Sequence, residues 1–292
     1  MKTIGIVAKV QSAMAAEGVK RLTNWLESRN IQYLIDEESA QVAGMRSNLT
    51  KVALAAQADL IVVLGGDGTF LSVARLVEGR VAPILGVNLG GLGFLTEFAY
   101  DEMIPALETA LAGDYTHEDR IMLDVCISRE GKTVSSYTVL NDVVINRVTL
   151  ARMVTVTVNV DDVFVNEYTA DGLVVSTPTG STAYNLSAGG PIIHPSIGAI
   201  IISPICPHTL SNRPIVVPDG LKVELALNPA LQGDALLTLD GQVGYQVNFR
   251  DRIIIKKSKE VTRIIQSPYK NYYQLLRGKL KWGETIRQHG NS

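Results

Sequence analysis

The sequence predicts an α/β amino-terminal half followed by an all-β carboxyl-terminal half. Three observations carry that expectation: short β-branched runs alternate with helical periodicity through the first 118 residues, closely spaced strand-like runs begin near Arg120, and turn formers separate those later runs. In the first half, strands are expected over 3–8, 31–35, 60–64 and 83–87. Helices are expected over 15–28, 49–57, 70–78 and 102–112. A run such as Ile61-Val62-Val63-Leu64 has no polar face, so it needs cover on both sides, and alternation with helices supplies that cover in a parallel sheet.

In the second half, strands are expected over 123–128, 136–145, 154–160, 163–165, 173–176, 223–227, 236–239 and 253–257. Glu130-Gly131, Asp161-Asp162 and Asp219-Gly220 are turn formers, and the pattern reads as an antiparallel sandwich or a pair of stacked sheets. A tail over 269–280 carries Tyr272, Tyr273, Leu275, Leu276 and Leu280, a helical run apolar enough to dock on a domain. The expected organisation is an α/β domain over 1–118, a β-rich domain over 119–266 and a helical tail over 267–292.

Composition narrows the function classes. The chain has 292 residues, of which 46% are hydrophobic and 19% charged, with a formal net charge of −2 and no block of like charge, so no nucleic-acid partner is expected. Apolar runs such as the one over 199–202 end within a few residues at proline, far short of the roughly 20 residues a bilayer span needs. No membrane association is expected. The two cysteines, Cys126 and Cys206, lack any CxxC spacing, which argues against a disulfide framework or a zinc site and for a reducing compartment. The short apolar run after Met1 is too brief for a secretion signal, so the expected location is cytoplasmic. His117, His194, His208 and His289 show no ligand spacing, and no protein-built metal site is expected.

Two segments carry chemistry. The first is Gly65-Gly66-Asp67-Gly68-Thr69, directly after the apolar strand over 60–64 and before a helix. Glycines there let backbone N–H groups approach phosphates, and a helix N-terminus favours their charge. A carboxylate beside phosphates repels them, so Asp67 serves either to hold a metal ion or to take a proton from an attacking hydroxyl. The P-loop signature and the G-x-G-x-x-G dinucleotide fingerprint are both missing. The second segment runs from Asp171-Gly172 through Ser176-Thr177-Pro178-Thr179-Gly180-Ser181-Thr182-Ala183-Tyr184. Its hydroxyls at Thr177, Thr179, Ser181 and Thr182 suit a phosphate or a ribose, and Tyr184 offers a face for stacking.

Together these segments resemble the NAD kinase family, which shares a GGDGT loop and a DG…STPTGSTAY segment. The likeness extends to Asn88-Leu89-Gly90-Gly91-Leu92-Gly93-Phe94-Leu95 and to Asn141-Asp142. A GGDGT loop alone is shared with diacylglycerol and sphingosine kinases and with phosphofructokinases, so the TPTGSTAY segment is the specific signal.

The resemblance implies a Rossmann-like α/β amino-terminal domain, a β-sandwich-like carboxyl-terminal domain and a tail that returns to the first. It implies transfer of a phosphoryl group from ATP, another triphosphate or polyphosphate to the 2′-hydroxyl of the adenosine ribose of NAD. Asp67 would be the general base, with Gly68 beside the NAD, and Gly65, Gly66, Thr69, Gly90 and Gly91 would serve the phosphates. Asn141 and Asp142 would hold the ribose hydroxyls, and Asp171 would lie by the nicotinamide end. Thr182, Ala183, Tyr184, Asn185, Leu186 and Ser187 would line the adenine pocket, which Gln242 would also reach.

Arg152 resembles a polar or basic position near the nicotinamide, and Thr169 stands where some relatives look basic. A divalent ion, Mg²⁺, would arrive with the triphosphate. Relatives assemble as homodimers or homotetramers, and the same is expected here. Three rivals make distinct predictions: a lipid kinase needs an exposed entrance for an acyl chain, an NAD sensor does not need Asp67, and a nicotinamide-dependent oxidoreductase needs the missing fingerprint.

Overall fold

The computed structural model describes residues 2–76, 82–147, 153–228 and 235–282. The chain divides into two compact units, one formed by Met1–Asp119 with Arg263–Ser292 and the other by Arg120–Thr262.

The first unit runs β1 (Ile4–Ala8), α1 (Ala13–Ser28), β2 (Tyr33–Ile35), α2 (Glu37–Val42), α3 (Lys51–Gln57), β3 (Leu60–Gly65), α4 (Asp67–Ala74), β4 (Ile84–Asn88), β5 (Phe98–Ala99), a 3₁₀ turn (Tyr100–Glu102) and α5 (Met103–Ala112). The strands lie in the order β2-β1-β3-β4, every pair parallel, and β1 and β3 are buried throughout. Helices cover the sheet as the apolar strands require: Leu22 and Leu26 of α1 and Met103 and Leu107 of α5 share one core with Ile4, Ile6, Val62 and Leu64. The approach of α3 is close. A Cβ on Gly5 would stand 2.6 Å from Leu54 Cδ2 and 2.9 Å from Ala58 Cβ, so glycine is what lets α3 seat there. Because β1 is joined to β2 on one side and pairs β3 on the other, the carboxyl ends of β1 and β3 flank a topological switch point, where open α/β sheets bind ligands.

The second unit holds β6 (His117–Arg129), β7 (Lys132–Val139), β8 (Asp142–Arg147), β9 (Val154–Val160), β10 (Val163–Ala170), β11 (Gly172–Ser176), a 3₁₀ turn (Thr179–Thr182), α6 (Tyr184–Ser187), β12 (Ala199–Ile205), β13 (Ile215–Pro218), β14 (Val223–Leu227), β15 (Ala235–Leu239), β16 (Val243–Val247) and β17 (Asp251–Ile265). One antiparallel sheet has the order β13-β12-β11-β8-β15-β16, and the other joins β10, β9, β14 and β17 with the β6–β7 hairpin. Their inner faces interdigitate in a single core that includes Val143, Ile145, Leu173 and Ile202 with Val158, Leu225 and Ile253. The opposite face of the first sheet is also buried at Val144 and Val174, packed with Ala188, which is why these strands show no polar alternation. The predicted turns form, with positive φ at Glu130 (54°) and Gly131 (79°) and at Asp161 (46°) and Asp162 (64°).

The chain then returns to the first unit. Ile264 of β17 pairs with Ile84 of β4, Glu97 accepts the N–H of Ser267 at 2.9 Å, and α7 (Tyr272–Leu280) buries Leu275 and Leu276.

The fold class expected from the sequence holds, with local corrections. The run over 136–145, read as one strand, is two strands broken at Leu140 and Asn141. The strand over 163–165 extends to Ala170, and that over 253–257 spans Asp251–Ile265. Helix α4 begins at Asp67, three residues before the expected start, and residues 77 and 78 of the expected helix lie outside the described residues.

Candidate active site

In the first unit the glycine loop forms where β3 ends and α4 begins. Gly66 is the N-cap of α4, and as a glycine it offers no side chain to cap the first turn. Asp67 occupies the first turn and is clamped by the loop after β4: its Oδ2 accepts Phe94 N–H at 3.0 Å, its Oδ1 accepts Leu95 N–H at 3.0 Å, and Thr96 Oγ1 stands 3.4 Å from Oδ1. A carboxylate with about four acceptor sites retains some after two N–H bonds.

Buried Asn88 shapes the same loop, since its Oδ1 accepts Gly90 N–H at 2.6 Å and its amide donates to Gly91 O and to Thr96 Oγ1 at 3.3 Å. Helix α7 backs the loop at Leu92, whose Cδ2 lies 3.3 Å from where a Cβ on Gly278 would be.

The glycines here divide into two kinds. A Cβ on Gly65 would stand 2.5 Å from Thr69 Oγ1, and one on Gly93 would fall on Asp67 Oδ1 and Thr96 Oγ1, so protein packing requires both. A Cβ on Gly66, Gly68, Gly90 or Gly91 would meet nothing within 4 Å, and none of the four has a positive φ. Neither packing nor backbone conformation explains that second set.

In the second unit Asn141 and Asp142 sit at the start of β8, beside the break between β11 and the 3₁₀ turn. Asn141 O accepts Thr177 N–H at 2.9 Å and Ser176 Oγ at 3.2 Å, and a Cβ on Gly180 would strike that same carbonyl. The Oδ1 of Asn141 is buried with no hydrogen-bond partner among the described residues. Asp142 is 5% exposed, and burial, together with the nearby charge of Asp240, pushes its carboxyl up to about 7.

This shift has a consequence for stability. A carboxyl whose folded value lies above its unfolded one favours the protonated native state, a contribution fully present below the ordinary carboxylate range and lost as pH rises through about 7. Asp142→Asn, neutral at every pH, is therefore expected to raise the thermal midpoint over wild type at about pH 8 and to change it little near pH 4. Calorimetry at both pH values checks this; an equal shift at both would dissociate the effect from ionisation.

The hydroxyl cluster behaves differently from expectation. Thr177 Oγ1 donates to Leu140 O at 2.6 Å, Ser181 Oγ donates to Pro178 O at 2.6 Å and accepts Ile193 N–H at 3.0 Å, and both residues are fully buried. Thr179, 7% exposed, takes Arg120 at 3.5 Å. These groups build the turn, and of the four only Thr182 is half-exposed.

Beyond it Tyr184 is exposed, Ala183 and Leu186 are half-buried and Ser187 is exposed. Asn185 is fully buried with its amide donating to Ser181 O and Pro191 O and its carbonyl accepting Ser203 Oγ at 2.7 Å, so it braces the segment. Asp171 pairs with Arg147 at 3.1 Å, and Thr169 Oγ1 meets Thr155 Oγ1 at 2.9 Å. Gln242 lies exposed after the β15–β16 turn. Arg152 and His289 lie outside the described residues. His117 and His208 are exposed and His194 is half-buried, its Nδ1 bonded to Ser196.

Sequence reasoning passed over Asn88, Gly93, Thr96 and Asp240 as site residues. Asn88 and Gly93 stand inside the quoted glycine stretch, but their service to Asp67 depends on tertiary contacts that spacing does not reveal.

A carboxylate clamped beside open glycines at the carboxyl edge of a parallel sheet, joined in one chain to a stacked-sheet unit, defines a phosphotransferase of the GGDGT class. Comparison with known proteins makes this specific. Residues 4–115 match the ATP-NAD kinase N-terminal domain and residues 140–267 the ATP-NAD kinase C-terminal domain. An NAD kinase from Geotalea daltonii is 49% identical over 284 residues, covering 97% of this chain and 100% of the relative, and one from Geobacter sulfurreducens is 47% identical with the same coverage. Among solved structures, an NAD kinase from Archaeoglobus fulgidus in complex with ATP superposes with a TM-score of 0.75 at 27% identity, covering 96% of this chain and 98% of that one. Yeast NADH kinase complexed with NADH shares the fold, with a TM-score of 0.89 at 24% identity over 99% of this chain and 90% of that one. The chain belongs to the NAD kinase family.

Proposed function

We propose that this enzyme transfers the terminal phosphoryl group of ATP to the 2′-hydroxyl of the adenosine ribose of NAD, with Asp67 accepting the proton of that hydroxyl. The observation that carries the reading is the set of four glycines, Gly66, Gly68, Gly90 and Gly91, whose missing side chains neither packing nor backbone conformation explains. Room kept clear beside the N-terminus of a helix suits a phosphate chain, and Gly68 would adjoin the NAD.

In this reading Gly65 and Thr69 shape the loop, and Asp67 stays placed by the Phe94 and Leu95 amides while its remaining lone pairs face the acceptor hydroxyl. The second unit would bind NAD. Asn141 and Asp142 would take the ribose hydroxyls, Thr182, Ala183, Tyr184, Leu186 and Ser187 with Gln242 the adenine, and Asp171 and Arg152 the nicotinamide side, while Thr169 would be a further NAD-binding position. Asn185 would act by bracing that wall.

The divalent ion of this reading, Mg²⁺, would be carried in on the triphosphate, since Mg²⁺ usually keeps several waters and bridges phosphate oxygens. Mg²⁺ bound there would neutralise charge developing on the phosphate oxygens. Positioning and electrostatics supply most of the acceleration in such a transfer.

We extend the proposal to a cytoplasmic homodimer or homotetramer. Both cysteines are free, as suits a reducing compartment, and edge strand β10 exposes Val163 and Phe164 at 67% and 62%. The test is purified protein with NAD, ATP and Mg²⁺, coupled to an NADP-specific dehydrogenase. NADP is the expected product. Well-folded protein that forms none with ATP or polyphosphate would overturn the reading and turn attention to other hydroxyl acceptors.

A further inference from the structure

In the second unit the carboxylate of Asp240 collects three consecutive backbone N–H groups, accepting Leu140 N–H at 3.0 Å on Oδ2 and Asn141 N–H at 2.7 Å and Asp142 N–H at 3.1 Å on Oδ1. Its own N–H donates to Asp142 O at 3.0 Å. The geometry depends on a tight turn between β15 and β16, where Asp240 (φ 50°) and Gly241 (φ 65°) both take the left-handed conformation and Gln242 N–H closes on Leu239 O at 3.0 Å. Successive N–H groups converging on one point form an anion nest, and here the anion is the protein's own side chain. The three N–H groups at the boundary of β7 and β8 thus serve Asp240, and the Asn141 Oδ1 is left buried with no partner among the described residues.

We propose that Asp240 is the positioning residue of the ribose-binding segment, holding Asn141 and Asp142 at the start of β8 in the arrangement that NAD meets. The proposal rests on the reading that Asn141 and Asp142 hold the ribose of NAD. Asp240 does not touch substrate in this scheme; it acts through the three amides and through its charge.

The charge acts on Asp142. Neighbouring β11 presents Ser176, the turn over 177–183 has no ionisable side chain, and Arg120 of β6 is engaged with Thr179, so Asp240 is the charged neighbour that raises the Asp142 carboxyl beyond what burial does. An ionised Asp142 accepts hydroxyl donors better than a neutral one, so the KM for NAD should improve as pH rises through Asp142 ionisation.

The test compares wild type with Asp240→Ala and Asp240→Asn in the full chain, varying NAD and ATP separately across pH. Asp240→Ala leaves three amides without an acceptor, and its KM for NAD is expected to rise about tenfold or more with the KM for ATP unchanged. Asp240→Asn keeps one acceptor oxygen and should raise the KM for NAD less, while its acid limb moves to lower pH because a negative neighbour is gone. An unchanged KM for NAD with only kcat lowered, equal changes in both KM values, or an unmoved acid limb would overturn the proposal. If Asp240→Ala does not fold, the pH profile of Asp240→Asn decides. If wild type forms no NADP, the function reading fails, and direct titration of NAD into wild type and Asp240→Asn decides the positioning role.

Discussion

Asp67→Asn is expected to fold normally and to lose NADP formation by about two orders of magnitude or more, the typical worth of a positioned base. The substitution keeps the shape of the side chain and one of its two acceptor oxygens, so one of the bonds from Phe94 and Leu95 survives. The other becomes an N–H facing an N–H, a local cost of about 1–3 kcal/mol that a folded unit can bear. What disappears is the lone pair that takes the proton. Circular dichroism and a thermal melt establish folding, and single-turnover measurement with saturating NAD and ATP reads the chemical step. Activity within about fivefold of wild type would remove Asp67 from the base role, since loss of general base catalysis costs more than that.

The second large effect is expected at Gly93, which touches no proposed ligand. A Cβ there falls on Asp67 Oδ1 and Thr96 Oγ1, so Gly93→Ala must displace the carboxylate or the loop that clamps it. A shift of about 1 Å in a reacting group costs on the order of a hundredfold, and kcat is expected to fall by about that factor. Gly91→Ala is the paired control. Its Cβ meets nothing within 4 Å of protein, so stability should not change, while the KM for ATP should rise if phosphate occupies that space. Equal, small effects from both substitutions would show that the clamp tolerates displacement and that the open glycines serve no ligand.

The sequence made the layers legible because hydrophobic periodicity and turn chemistry are local. Strands β1 and β3, helix α1 and the hairpin turns at Glu130-Gly131 and Asp161-Asp162 follow from residues within a few positions of each other. Where distant groups decide, local sequence carries no signal. The break between β7 and β8 depends on Asp240, about a hundred residues away, whose carboxylate takes the amides that would otherwise continue a strand.

Strand β12 contains Pro204, which argues against a strand inside a sheet; it is tolerated because β13 pairs only residues 199–202, leaving the side of Pro204 without a partner strand. Helix α2 is six residues long, too short to show a period, and is fixed by buried Asp36, which caps Ser39 N–H and accepts the Ser39 hydroxyl. At the site, Asp67 and its glycines were readable because the loop chemistry is contiguous. The roles of Thr177, Ser181 and Asn185 were not, because a hydroxyl or amide in a sequence does not reveal whether it turns toward solvent or toward its own backbone.

The long strand β17 has a consequence for how the protein is made. Residues 120–262 form a continuous stretch whose two ends lie side by side, with Thr262 Oγ1 donating to Met122 Sδ at 3.2 Å, whereas the first unit is discontinuous and takes Ile264, Ser267 and α7 from beyond that stretch. On the ribosome, the segment that emerges first is therefore the one that must wait. The inserted unit has all its residues once position 262 has cleared the exit tunnel, but the parallel sheet bearing Asp67 lacks its last neighbour and its covering helix until some twenty more residues follow. Until Ile264 arrives, that side of β4 is paired only with β5 at Val87 and Asn88, so the unit that carries Asp67 is the last to have all its parts.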